Sequence, residues 1–89
     1  MSDSNLPRNT PLLIKELNGR ILAGEIVSIH EDGKIVRLEK VRLLEVIGLK
    51  EQLEPIYAYR KSPIRFALVR ADEIVHWEHL PSYLKLKGS

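Results

Sequence analysis

The sequence predicts a mainly β domain, with a short N-terminal helix followed by a strongly bent, antiparallel barrel of about five strands. Three observations lead there. β-Branched and leucine-rich runs recur at short intervals between turn signals. Asp32-Gly33 and Ala71-Asp72-Glu73 stand between such runs as tight turns. Gly24 lies inside an otherwise β-rich run, where a glycine weakens a strand unless the chain bends or another backbone comes close.

The elements follow in order. Residues 1–11 are polar, hold Pro7 and Pro11, and read as a flexible arm. Leu12–Leu17 has Leu13, Ile14 and Leu17 on one side at helical spacing, so one or two helical turns are expected. Asn18-Gly19 ends them, because glycine supplies the left-handed residue of a helix end; Asn-Gly is also a hairpin signal. Arg20–His30 reads as one long strand bent at Gly24, and Glu31-Asp32-Gly33-Lys34 as its hairpin turn.

Lys34–Leu38 returns, and Val41–Ile47 continues with apolar residues on both faces. That pattern calls for cover on two sides, at a barrel corner or against a neighbouring subunit. Residues 49–65 hold Pro55 and Pro63 and read as a variable connection with a short strand near Tyr57 and Tyr59. Phe66–Arg70 and Ile74–Glu78 are the last two strands. Pro81 ends the pairing, so the domain is expected to span 12–80 with a basic tail at 81–89.

Composition narrows the function. The 89-residue chain is 44% hydrophobic and 29% charged, the balance of one globular domain. It contains no cysteine, which excludes disulfides, thiolate metal sites and thiol nucleophiles. The net charge of +2 is too small to argue for nucleic acid unaided. No apolar run approaches the roughly 20 residues of a membrane span. The opening Met-Ser-Asp-Ser-Asn does not read as a secretory leader, so an intracellular, cytoplasmic location without membrane association is expected. No catalytic triad order, carboxylate pair or phosphate loop is evident, so no enzyme activity and no cofactor are expected. His76, Glu78 and His79 do not converge on a strand, so no metal is expected either.

Two stretches together resemble the Sm-like (LSm) family. The first runs from Leu17-Asn18-Gly19-Arg20 through Gly24 and the acidic turn at Asp32-Gly33 to Leu38. It is similar to the family's first motif, a leucine and polar-Gly step, a strand with an inner glycine, an acidic turn and a hydrophobic run. The second, Phe66 to Trp77, is similar to the family's second motif, an apolar strand, an Arg-Gly turn and an Ile-Val step. Together they cover under half of the chain. The resemblance implies an SH3-like/Sm-like barrel whose last-strand edges pair between copies. A ring of about six or seven subunits then leaves no unpaired edge and is expected to hold single-stranded RNA, with U-rich sequence as the candidate, at its central face.

The chain departs from the family at the RNA pocket. With Lys34 in place of the family's Asn, His30 occupies the Asp position and Asp32 the stacking position. With Asp32 as the family Asp, no Asn remains. Ala71 replaces the glycine, while Arg70 is kept. The candidate RNA site is therefore Arg70, Lys34, His30, Asp32 and Asp72. Arg70 is suited to stacking on a base, although a surface pair with Asp72 or Glu73 explains it equally. Tyr59, Arg60, Lys61 and Arg65 form a secondary basic stretch with interleaved aromatics, a composition shared by nucleic-acid surfaces and by solvated loops. The alternative to RNA binding is an assembly or adaptor subunit that makes only protein contacts.

Overall fold

A computed structural model describes residues 6–84, and of residues 61–63 the backbone alone. It is mainly β. The strands are β1 (Pro11–Glu16), β2 (Ile21–His30), β3 (Ile35–Leu49), β4 (Pro55–Arg70) and β5 (Ile74–His79). Short 3-10 turns at Glu51–Leu53 and Ala71–Glu73 join the last three. All pairing is antiparallel, in one five-stranded sheet of order β4-β3-β2-β1-β5.

The expected N-terminal helix is replaced by β1. Leu12, Leu13 and Ile14 are all fully buried, which a short helix with one apolar stripe would not achieve. As a strand the segment pairs with β2 on one side and β5 on the other. Leu12 and Ile14 enter the main core, and Leu13 enters a second cluster on the opposite face. Asn18-Gly19 takes its hairpin option. Gly19 adopts φ +93, and the Asn18 Oδ1 accepts from the Arg20 amide at 2.9 Å.

The bend falls where the inner glycine marked it. A Cβ on Gly24 would lie 3.3 Å from the Glu39 carbonyl oxygen and 3.4 Å from a Val41 methyl. Opposite it, β3 carries one extra residue between its partners for Ala23 and Glu25, and Lys40 there adopts φ +56. Such a bulge increases local twist and curls the sheet. The main core gathers inside the curl from Leu12, Ile14, Leu22, Ile26, Val36, Leu38, Val41 and Val69. Leu6, from the N-terminal stretch, packs against the same core.

The curl does not close. β4 and β5 are the two ends of the strand order and do not pair with each other, so the predicted barrel is an open, bent sheet. Residues 49–65 also differ from the sequence reading. Only 50–54 turn, and Pro55–Arg70 is one 16-residue strand. Both prolines fit because β4 is an edge strand, where a missing N–H costs no ladder bond on the open side. β3 is likewise continuous from Ile35 to Leu49.

The second cluster explains the two-faced apolar pattern of β3. Val41 faces the main core, and Leu44 faces Leu13, Ala23 and Tyr57 on the outer side. Leu84 and Leu80 from the C-terminal segment cover this outer patch. The Tyr59 hydroxyl donates to the Leu84 carbonyl at 2.7 Å.

Gly24→Val forces a branched side chain against the β3 backbone and should cost about 1–3 kcal/mol, read as a lower urea midpoint. An unchanged midpoint would remove the close approach as the reason for the glycine. Burial pushes the Tyr59 hydroxyl pKa up, and the nearby Arg42 charge offsets part of that. A group raised in the folded state stabilises fully below its unfolded value, about 10 for tyrosine, and that stability is lost as pH rises through the folded value. Thermal melts of Tyr59→Phe should therefore fall less steeply above about pH 10 than those of the unchanged chain.

Candidate functional site

The two turns that carry the motif residues meet at one end of the sheet. Ile35, the first residue of β3, is in register with both His30 and Arg70. The Ala71 amide donates to the Lys34 carbonyl at 2.8 Å, tying the β4–β5 turn to the β2–β3 turn. Glu31, Asp32 and Gly33 all have positive φ. Gly33 takes that conformation without a steric penalty, and the turn is closed by the Lys34 amide donating to the His30 carbonyl at 3.1 Å.

Between the turns lies an open depression of about 480 Å³, lined by Glu31, Asp32, Lys34, Arg70, Ala71 and Asp72 among others. Four of the five predicted site residues are thus brought together: Arg70, Lys34, Asp32 and Asp72. His30 is not in the lining. Its ring Nε2 lies 2.8 Å from the Ser28 hydroxyl on the same strand. Glu31 and Ala71 join the site without having been singled out as ligands. Their sequence signal is membership of the two turns, and for Ala71 its place at the glycine of the second motif.

The electrostatics set what the site can do. Arg70 Nε and Nη2 donate to the two Asp72 carboxylate oxygens at 3.3 and 3.2 Å. The Asp72 hydrogen bond, then its charge and that of Glu73, hold the Arg70 guanidinium above its already high ordinary range. The surface pairing envisaged as the plainer role of Arg70 is therefore present. Both partners are largely exposed, so the pair is screened by water and adds little to stability. Around the depression the carboxylates of Glu31, Asp32 and Asp72 outnumber the cations of Lys34 and Arg70.

The secondary basic stretch does not form one surface. Tyr59 is half-buried, with Arg42 stacked 4.4 Å from its ring centroid. Arg60 is exposed, and the Lys61 side chain lies outside the described residues. Arg65 is exposed beside Phe66, whose ring carries Arg37 at 4.3 Å. The tail lysines Lys85 and Lys87 lie outside the described residues.

At the other end of β5, His76 Nε2 and Glu78 Oε1 are 3.1 Å apart, and His79 packs edge-on to Trp77 instead. Among the described residues no three His, Asp or Glu group to hold a metal ion. No helix among them is long and apolar enough to cross a membrane.

Neither a protein-family model nor a curated protein matches the chain.

Asp72→Asn should free the Arg70 guanidinium and leave the fold intact. The urea midpoint should stay where it is, because water screens this exposed pair. The Arg70 Nε–H resonance should exchange faster with water, and an unchanged exchange rate would show that Asp72 does not hold the side chain in solution.

Proposed function

We propose that the chain is a self-assembling, Sm-like subunit whose two open sheet edges, β4 of one copy and β5 of the next, pair to close a ring of about six or seven subunits. One observation carries this reading: the sheet is left open, and its edges expose large apolar side chains. Phe66 and Leu68 on β4 are 45% and 60% exposed, and Val75 on β5 is 56% exposed. An edge strand with free N–H and C=O groups and apolar side chains is a template for another strand. Edge pairing between copies is also what the motif resemblance implies, and it would satisfy both edges at once.

Single-stranded RNA at the ring's central face is the second reading. The observation favouring it is the meeting of Lys34 and Arg70 in one depression. The charge balance weighs against strong phosphate attraction there, because each copy would add more carboxylates than cations. RNA held at this site would depend on stacking against Arg70 after displacement from Asp72.

Light scattering on nuclease-treated protein should give one discrete mass of about six or seven subunits. Leu68→Lys places a charge at the proposed junction without touching the core, and it should reduce that mass to a monomer. A monomeric parent protein at high concentration would end the ring reading. Polyuridylate titration separates the two functions. Binding that strengthens in Asp72→Asn, weakens in Arg70→Ala and falls with rising salt supports RNA. No binding by an intact ring at low salt leaves an assembly subunit.

A further inference from the structure

The C-terminal segment crosses the whole sheet. It leaves β5 at Leu80, whose amide donates to the Pro11 carbonyl at 3.1 Å. Leu80 and Leu84 then cover an outer patch made by Leu13 on β1, Ala23 on β2, Leu44 on β3 and Tyr57 on β4. At its far end, two hydrogen bonds fasten it to β4. The Tyr59 hydroxyl donates to the Leu84 carbonyl, and the Tyr57 amide donates to the Tyr83 hydroxyl at 3.1 Å.

The second bond bears on the sheet edge. β4 has a strand on one side only, β3. Tyr57 stands at the register shift between Val46 and Gly48, and its N–H, bound to the Tyr83 hydroxyl, is a backbone donor of this edge strand that an incoming strand cannot use. Tyr83 occupies it. Lys50 Nζ lies 5.4 Å from the Tyr83 ring centroid and helps hold that ring in place.

β4 is divided at the same place. Between the partners of Arg42 and Leu44 it carries two extra residues, so the ladder is interrupted between Tyr59 and Pro63. The distal half begins at Pro55, and Pro63 stands at the break, and neither has an N–H to offer. The half from Ile64 to Arg70 has no proline and carries the exposed Phe66 and Leu68.

We propose that the C-terminal strap, Leu80–Leu84, caps the distal half of the β4 edge and withholds it from strand pairing, so that a second copy can pair only along Ile64–Arg70. The partner is a second copy of this chain, and that identity rests on the assembly reading above. The capping itself does not. Edge strands are commonly blunted by prolines and by covering segments, and here both devices fall on the same half. The strap thereby decides register. Without it Pro55–Tyr59 would offer a second pairing stretch beside Ile64–Arg70, and pairing there need not close a ring.

The test uses the full chain. Tyr83→Phe keeps the ring beneath Lys50 and removes the hydroxyl that accepts from the Tyr57 amide. Amide exchange at Tyr57 should become roughly 2- to 10-fold faster, the loss expected for one hydrogen bond, while Val69 is unchanged. Sedimentation velocity should show added, larger species that grow with protein concentration. In those species residues 55–60 should regain protection, because the freed edge is then paired. Leu84→Ala, which loosens the anchor of the strap, should act in the same direction and covers the case in which the phenylalanine ring alone keeps the edge shielded. If both variants keep the parent's size distribution, the strap does not withhold the edge and the proposal falls. If the parent is a monomer and the variants associate, the ring reading fails and the strap stands.

Discussion

Everything in this fold depends on β1 being paired on both sides and covered on both faces. Its three central residues, Leu12, Leu13 and Ile14, have no exposed surface. Pairing with β2 and β5 satisfies its backbone, and alternation sends its side chains into two separate clusters. β5, and the C-terminal segment that follows it, are positioned by this one strand.

Curvature is the second requirement, and it comes from two complementary features at one place. β2 contributes an absence, the missing side chain of Gly24. β3 contributes an excess, the extra residue around Lys40. The backbones approach closely, the sheet curls, and the main core forms inside. Continuing β3 and β4 beyond the curl makes a long hairpin whose outer face the C-terminal strap covers. The described residues therefore form two small cores rather than one, divided by the sheet. Apolar residues such as Val46 and Ile47, near the end of that hairpin, remain exposed.

The curl also brings two distant turns together. The Ala71–Lys34 backbone bond joins segments that are far apart in sequence and places Arg70 beside the β2–β3 turn. What gathers there is chemically mixed. The arginine is engaged by Asp72, and carboxylates outnumber cations. By contrast, the sheet edges present unsatisfied backbone and exposed apolar side chains. The proposed edge pairing draws on these exposed apolar side chains, whereas the depression at the turns offers a ligand a cation already engaged by Asp72.

The motif resemblance pointed to Arg70, Lys34, Asp32 and Asp72 together; the β class, the bend at Gly24 and the two turns were legible in the chain itself. These are local signals: a glycine within a β-branched run, an Asp-Gly step, a short acidic turn. The helix expected over Leu12–Leu17 was overridden because a six-residue pattern cannot reveal that two other strands will flank it. The long β4 was hidden because Pro55 and Pro63 read as breaks, whereas an edge strand tolerates them on its unpaired side. Tyr59 looked like part of a basic surface, and tertiary packing turned it under the strap. Only the folded structure decided which strands became edges, that the sheet stays open, and that Tyr83 reaches the Tyr57 amide. Those outcomes depend on pairing between residues far apart in the chain, and local composition carries no record of such partners.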